Sequence, residues 1–199
     1  MDDDGTKPVS HFRSERVAPE HRIGEDVVPA ALVRALRINT RLSQINRAGL
    51  SHKRAERDIR KAMGLVSEEM RNELMRENPI RFVEWFANSL GHDLGVLHKN
   101  GEVHRWLHAQ NITLDARIVD TDSVRSRKNF ETGVDVGGIE DPFRSFSFDQ
   151  FVEKDKKDLR ATVLSGCKHI LEHVQPDYDS SILDKLARSF DSEYARVTA

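Results

Sequence analysis

The chain has 199 residues, 32% charged and 38% hydrophobic, with a formal net charge of −2; this fits one soluble, rather helical domain around a single core. The near-neutral total argues against whole-protein attraction to nucleic acid or membrane, and no apolar run approaches the ~18 residues a membrane span requires. Cys167 is the sole cysteine, which excludes an internal disulfide or a cysteine-rich zinc site, and the N-terminus lacks a signal-peptide core, so a cytoplasmic protein is expected.

Residues 1–28 are polar, broken by Pro8 and Pro19, and without sustained apolar period, so they read as a weakly ordered tail. One mostly helical domain is expected over 29–199. Leu32, Leu36, Ile38 and Leu42 keep helical spacing, with Ile45 extending the same face and Gly49 as the break. Ser51 is placed to cap a basic, exposed helix over Lys53–Met63 that Gly64 ends, and Ser67 with Glu68 and Glu69 opens another. Asn78-Pro79 pairs a good cap with a good first helical residue. Phe82, Val83, Phe86, Leu90, Leu94 and Leu97 then form the clearest amphipathic stripe of the chain, closed by Asn100-Gly101.

Two short β-like pieces follow, Ile112–Leu114 and Arg117–Val119, joined tightly at Asp115-Ala116. Glycines 133, 137 and 138 and Pro142 make 123–147 read as a long surface loop. Helix returns near Phe148, carrying Phe151, Val152, Leu159, Val163, Cys167, Ile170, Leu171 and Val174 on or near one face until Pro176. A last helix spans roughly 180–196 through Ile182, Leu183, Leu186, Phe190 and Tyr194. The expected class is therefore mainly α with a small β-hairpin.

Chemistry concentrates in VHRWLHAQNITLDARIVDTDSV, residues 103–124. Mg²⁺ takes oxygen ligands and keeps several waters, so a protein needs to supply only one or two side chains. An Asn ending a rigid loop and an Asp just beyond a paired strand meet that need, with the hairpin as the ruler between them. Asn111 and Asp120 fit, and Asp122 is a second candidate carboxylate. The competing reading is turn chemistry, which Asn and Asp serve equally well.

The helix 82–99, its Asn-Gly stop and the segment from Val103 to Asp122 resemble the central part of a protein-kinase-like C-lobe. They are similar also, and more so, to the selenoprotein-O-type AMP transferases. About 45 residues carry the likeness, Pro79 to Val124, through His104-Arg105, Leu107, Asn111, the hairpin and Asp120. The resemblance implies a reduced kinase-like C-lobe with a helical N-terminal extension. It implies Asn111 and Asp120 as ligands of Mg²⁺ and, through it, ATP, and His104 as a structural loop residue. Three features depart from the pattern. Trp106 stands at the kinase general-base position and accepts no proton. Gln110 replaces the acidic residue that serves AMP transferases just before the Asn. Residues 1–78 contain no Gly-rich phosphate-gripping hairpin. His108 is the nearest titratable side chain and the leading candidate for a catalytic role, with Asp122 as the other group that could assist a nucleophile.

The remaining candidates read more plainly. His92, His98, His104 and His108 lie close in sequence, but six residues of helix set His92 and His98 on different faces, against a shared zinc site. Trp106 is expected to anchor its loop to the core, and Cys167 to be a small core residue. The leading expectation is a degenerate, pseudokinase-type protein that binds another protein, with at most weak Mg²⁺–nucleotide binding. An active ATP-dependent phospho- or AMP-transferase is the enzymatic rival. A third class is a helical regulator contacting nucleic acid through the basic residues between Arg34 and Lys61.

Overall fold

The computed structural model describes residues 38, 40–45, 51–119, 123–132 and 146–199. Among these residues the fold is mainly helical with one small antiparallel sheet. In chain order it comprises α1 (Leu42–Ile45), α2 (His52–Met70), α3 (Leu74–Glu77), α4 (Pro79–Lys99), β1 (Glu102–Val103), β2 (Arg125–Ser126), α5 (Arg127–Thr132), α6 (Phe148–Val174) and α7 (Ile182–Thr198).

Helix α4 is the hub. The Asn78 side chain accepts the Arg81 N–H at 3.2 Å, Pro79 occupies the first turn, and Phe82, Val83, Phe86, Leu90 and Leu94 are all buried. Each large apolar side chain so buried contributes about 1.5–3 kcal/mol of transfer free energy. The helix packs against α7 on one side and α6 on the other. Close approach to α7 depends on two glycines one turn apart. A Cβ on Gly91 would fall 2.7 Å from the Phe190 carbonyl oxygen, and one on Gly95 would fall 2.8 Å from Val197 Cβ. At the end of α4, Gly101 takes φ +72°, a conformation that suits glycine.

Helix α2 differs from the sequence expectation. It runs unbroken through Gly64 to Met70, so the two helices expected over 53–63 and from 67 are one. An interior glycine disfavours helix by only about 1 kcal/mol, and burial of Ala55, Ile59, Ala62, Met63 and Val66 along one face outweighs that. The helix is thus half-buried rather than exposed all round. Ser67 closes it instead of opening the next: its buried hydroxyl donates to the Asn72 carbonyl at 2.9 Å while Arg71 turns left-handed at φ 51°.

The N-terminal segment also departs from the continuous helix expected there. Leu32, Leu36, Gly49 and the tail 1–28 lie outside the described residues. The described part runs extended at Thr40 and Arg41 before the single turn of α1. It lies along the region of the expected hairpin: Leu114 N–H donates to Thr40 O, Leu42 N–H to Ile112 O, and Ser43 N–H to Ala109 O. Leu42 is fully buried against Gly166 of α6, where a Cβ would meet Leu42 Cδ1 at 2.7 Å.

The hairpin over 112–119 is reduced to an isolated antiparallel bridge, Ile112 with Ile118, turning through Ala116 at φ 55°. The sheet proper lies elsewhere, pairing Glu102 with Ser126 and Val103 with Arg125. The loop expected over 123–147 accordingly begins with β2 and α5. Residues 133–145 lie outside the described set. Ser147 and Gln150 form a reciprocal capping box at the start of α6, which accounts for helix resuming at Phe148.

Candidate functional site

The loop between β1 and the Ile112 bridge is built around a buried carboxylate. Asp155 lies on α6 between Phe151 and Leu159, one turn from each, and is 0% exposed. Its Oδ2 accepts the His104 backbone N–H at 2.6 Å, and its Oδ1 accepts the Arg105 N–H at 3.1 Å. Two successive N–H groups converge on one carboxylate only if the chain turns sharply between them, and Arg105 does so at φ 68°. A left-handed non-glycine residue is strained by about 1–2 kcal/mol, and charge-assisted hydrogen bonds from buried donors more than offset that.

Three further buried side chains, His98, Tyr194 and His104, complete the network. His98, in the last turn of α4, has Nε2 3.7 Å from Asp155 Oδ2, beyond hydrogen-bond reach, while its Nδ1 meets the Tyr194 hydroxyl at 2.9 Å. The tautomer satisfying both neighbours has Tyr194 donating to Nδ1 and the ring proton on Nε2, facing the carboxylate. Burial first, and then the negative charges of Glu153 and Asp155, raise the Tyr194 pKa above its ordinary value. His104 uses Nε2 on the Val119 carbonyl at 3.1 Å and so ties the loop to the far limb of the turn. The structural role expected of His104 matches this placement.

Asn111 is 7% exposed. Its amide Nδ2 donates to the Trp106 carbonyl at 3.0 Å, its backbone N–H donates to His108 O at 2.8 Å, and its carbonyl accepts the Val119 N–H at 2.9 Å. Asn111 is therefore a closure residue of the loop as well as a candidate ligand. Asp120 and Asp122, the other expected ligands, lie outside the described residues. Among the described residues no three His, Cys, Asp or Glu side chains gather into a metal-binding group.

His108, the candidate catalytic side chain, is exposed, and no described residue hydrogen-bonds its ring. A general base needs a partner to fix its orientation and tautomer, and no described carboxylate supplies one. Trp106 departs from the anchoring role expected of it. It is 41% exposed, on the outer face of the loop, with Lys154 Nζ 6.0 Å from its ring centre. Lys154 also donates to the Arg105 carbonyl at 3.0 Å and to Asp158 at 2.8 Å, clasping the loop from outside as Asp155 does from inside.

The other candidates fall where elementary packing puts them. Cys167 is fully buried, its thiol pKa pushed up by desolvation and its Sγ 3.8 Å from the Val83 carbonyl, so it is an inert core residue. His92 pairs with Glu193 of α7 at 3.2 Å, remote in role from buried His98 and His104. Along α2, Arg60 pairs with Glu56 at 2.9 Å and Arg57 with Asp58 at 3.5 Å, which tempers the basic character of that face.

Asp155 is the residue that sequence reasoning missed. Its signal was present: an acid centred on an otherwise apolar α6 stripe, at i+4 from Phe151 and i−4 from Leu159. A carboxylate in such a place needs dedicated donors, and the loop's N–H groups are those donors.

No protein-family model matches the chain, and no curated protein or solved structure gives a significant match.

Proposed function

We propose that this chain is a degenerate, kinase-like protein that retains the frame of a nucleotide-transfer loop and uses it to bind another protein. The observation that carries this reading is the state of the loop itself. His104, Arg105 and Asn111 hold a tight, buried scaffold, yet the residue projecting from it at the general-base position is an exposed tryptophan. An indole accepts no proton, and His108 next to it has no orienting partner among the described residues. A large exposed aromatic beside a lysine suits a protein contact better than proton transfer. Exposed Met70 and Leu74 at the α2–α3 turn add apolar surface of the kind that partners cover.

Asn111 with Asp120, and Asp122 as a further carboxylate, remain the residues that would hold Mg²⁺ and so a nucleotide. Bound there, Mg²⁺ supplies charge neutralisation on phosphate oxygens. On this reading nucleotide binding is at most weak. The test is a titration of the full chain with Mg²⁺–ATP, followed by thermal unfolding and intact mass. The expected result is a small shift in melting temperature at millimolar nucleotide, abolished in Asp120→Ala, with no covalent addition. Phosphoryl or AMP transfer that disappears in His108→Ala would establish the enzymatic rival instead. Strongly salt-dependent binding to generic RNA or DNA, lost on reversing Arg54, Arg57 and Arg60, would favour the nucleic-acid regulator.

A further inference from the structure

We propose that His52 and His173 form a binding site for a copper- or nickel-class divalent cation, clamping the start of α2 to the last turn of α6. The inference is independent of the functional reading above. The two residues are 121 positions apart in sequence, yet their Nδ1 atoms stand 2.8 Å from each other, with ring centres 4.6 Å apart and planes inclined at 39°.

Two nitrogen ligands set at right angles, each about 2.0 Å from an ion, are about 2.8 Å apart, whereas tetrahedral ligands at that bond length stand about 3.3 Å apart. The observed separation is that of an N–H···N hydrogen bond and also suits neighbouring ligands of a tetragonal ion, the geometry of Cu²⁺ and Ni²⁺, which in addition outcompete Zn²⁺ for imidazole nitrogen or match it. Without an ion, an N–H of one ring donates to the nitrogen of the other across this contact.

The backbone prepares one ring for metal. His173 Nε2 lies 3.4 Å from the Ile45 carbonyl. A proton held there leaves Nδ1 as a lone-pair donor, and a carbonyl behind a ligating imidazole is the usual device for fixing its tautomer and orientation. His52 is exposed in the first turn of α2, and no described residue hydrogen-bonds its Nε2, so that nitrogen can carry the ring proton. When the ion enters, the proton between the rings moves to that nitrogen and both Nδ1 lone pairs become available.

Two protein ligands leave the remaining positions to water or an added ligand, since no third His, Cys, Asp or Glu joins the pair among the described residues. The nearby acid on α6, Glu172, is engaged by Lys168 at 3.7 Å. His169, one turn earlier on α6, has its Nδ1 on the Ser165 carbonyl at 2.6 Å and serves as the control. The C-terminal dipole of α6 favours a cation and the N-terminal dipole of α2 opposes it, so ligation rather than the helix field supplies the affinity.

The test uses the full chain titrated with Cu²⁺, Ni²⁺ and Zn²⁺, read by calorimetry and by the nitrogen couplings of bound Cu²⁺ in electron paramagnetic resonance. His52→Gln and His173→Gln are each expected to weaken Cu²⁺ binding at least tenfold and to remove one of two nitrogen couplings. His169→Gln and His92→Gln are expected to leave both readouts unchanged, and Zn²⁺ to bind more weakly than Cu²⁺. Should a variant misfold by circular dichroism, carbethoxylation of the wild-type chain decides the matter. Cu²⁺ must shield His52 and His173 together, and failure to shield them overturns the site. Unchanged affinity in either folded pair variant, or loss in His169→Gln alone, likewise overturns it.

Discussion

Removing the buried carboxylate of Asp155 should loosen the loop that it holds and destabilise the whole protein. In Asp155→Ala the N–H groups of His104 and Arg105 lose an ionised acceptor at 2.6 and 3.1 Å in a place that water does not reach. Each such bond is worth about 1.5–3 kcal/mol. Relief of the carboxylate's own desolvation offsets part of the loss, leaving a net destabilisation of about 3–5 kcal/mol. Asp155→Asn keeps the shape and one acceptor oxygen but turns an –NH₂ toward one of the two donors, for roughly half that loss. With a urea dependence of about 1–3 kcal/mol per molar for a domain of this size, the alanine variant should shift the midpoint by about 1 M or more. Local loosening is read separately. The chain has two tryptophans, so in a Trp85→Phe background acrylamide quenching reports on Trp106 alone and should rise in Asp155→Asn under native conditions. A midpoint change below about 0.3 M, with unaltered quenching, would refute the view that this carboxylate sets the loop.

The glycines of α4 and α2 should respond in opposite directions. Gly91→Ala drives a methyl to 2.7 Å from a backbone carbonyl of α7, and that overpacking should cost about 1–3 kcal/mol by urea unfolding. Gly64→Ala meets nothing within 4 Å and should stabilise by about 0.5–1 kcal/mol through helix propensity. The pH profile has two identifiable limbs. The Tyr194 pKa is raised by burial above its ordinary value of 10.0, so the folded state holds that proton more tightly than the unfolded one. Its contribution is complete below pH 10 and is lost as pH rises through the folded value, so Tyr194→Phe should flatten the alkaline limb of melting temperature against pH. The Glu193 pKa is lowered, chiefly by the hydrogen bond from Arg196, so its contribution is present above the ordinary 4.5 and lost as pH falls through the folded value. Arg196→Gln should therefore weaken the acid-side dependence measured below pH 4.5.

What the sequence made legible was whatever is local. Asn78-Pro79, the Phe82–Leu94 stripe and Asn100-Gly101 specify α4 with caps and period that agree, and the structure follows them closely. The reading of α2 failed at Gly64 because a single glycine is a weak break when Ile59, Met63 and Val66 face a core on both sides of it. Thr40 to Leu42 read as helix because Leu42 and Ile45 suit that spacing. Their backbone partners, Ala109 to Leu114, lie far along the chain, and no local pattern encodes that pairing. Within the candidate site, the turn at Asp115-Ala116 was legible although its strands shrink to a single bridge, and His104 is buried in the loop as a structural residue would be. Asp155, His98 and Tyr194 were not found as partners, because α4, α6 and α7 bring them together only in three dimensions. A tryptophan in this loop is expected to anchor it to the core, whereas beyond the left-handed turn at Arg105 the Trp106 ring is 41% exposed.

The glycine contact between α4 and α7 also bears on synthesis. Ser189 meets Asn88 across 101 residues of sequence, and Phe190, Tyr194 and Val197 press on Gly91 and Gly95. As the chain emerges from the ribosome, the glycine face of α4 stays uncovered until α7 has been made, a delay of several seconds at ordinary elongation rates. During that interval its flanking leucines and phenylalanines are a natural substrate for holding chaperones. The docking of α7 then covers this face, so a nascent chain stalled before residue 190 should remain protease-sensitive along α4.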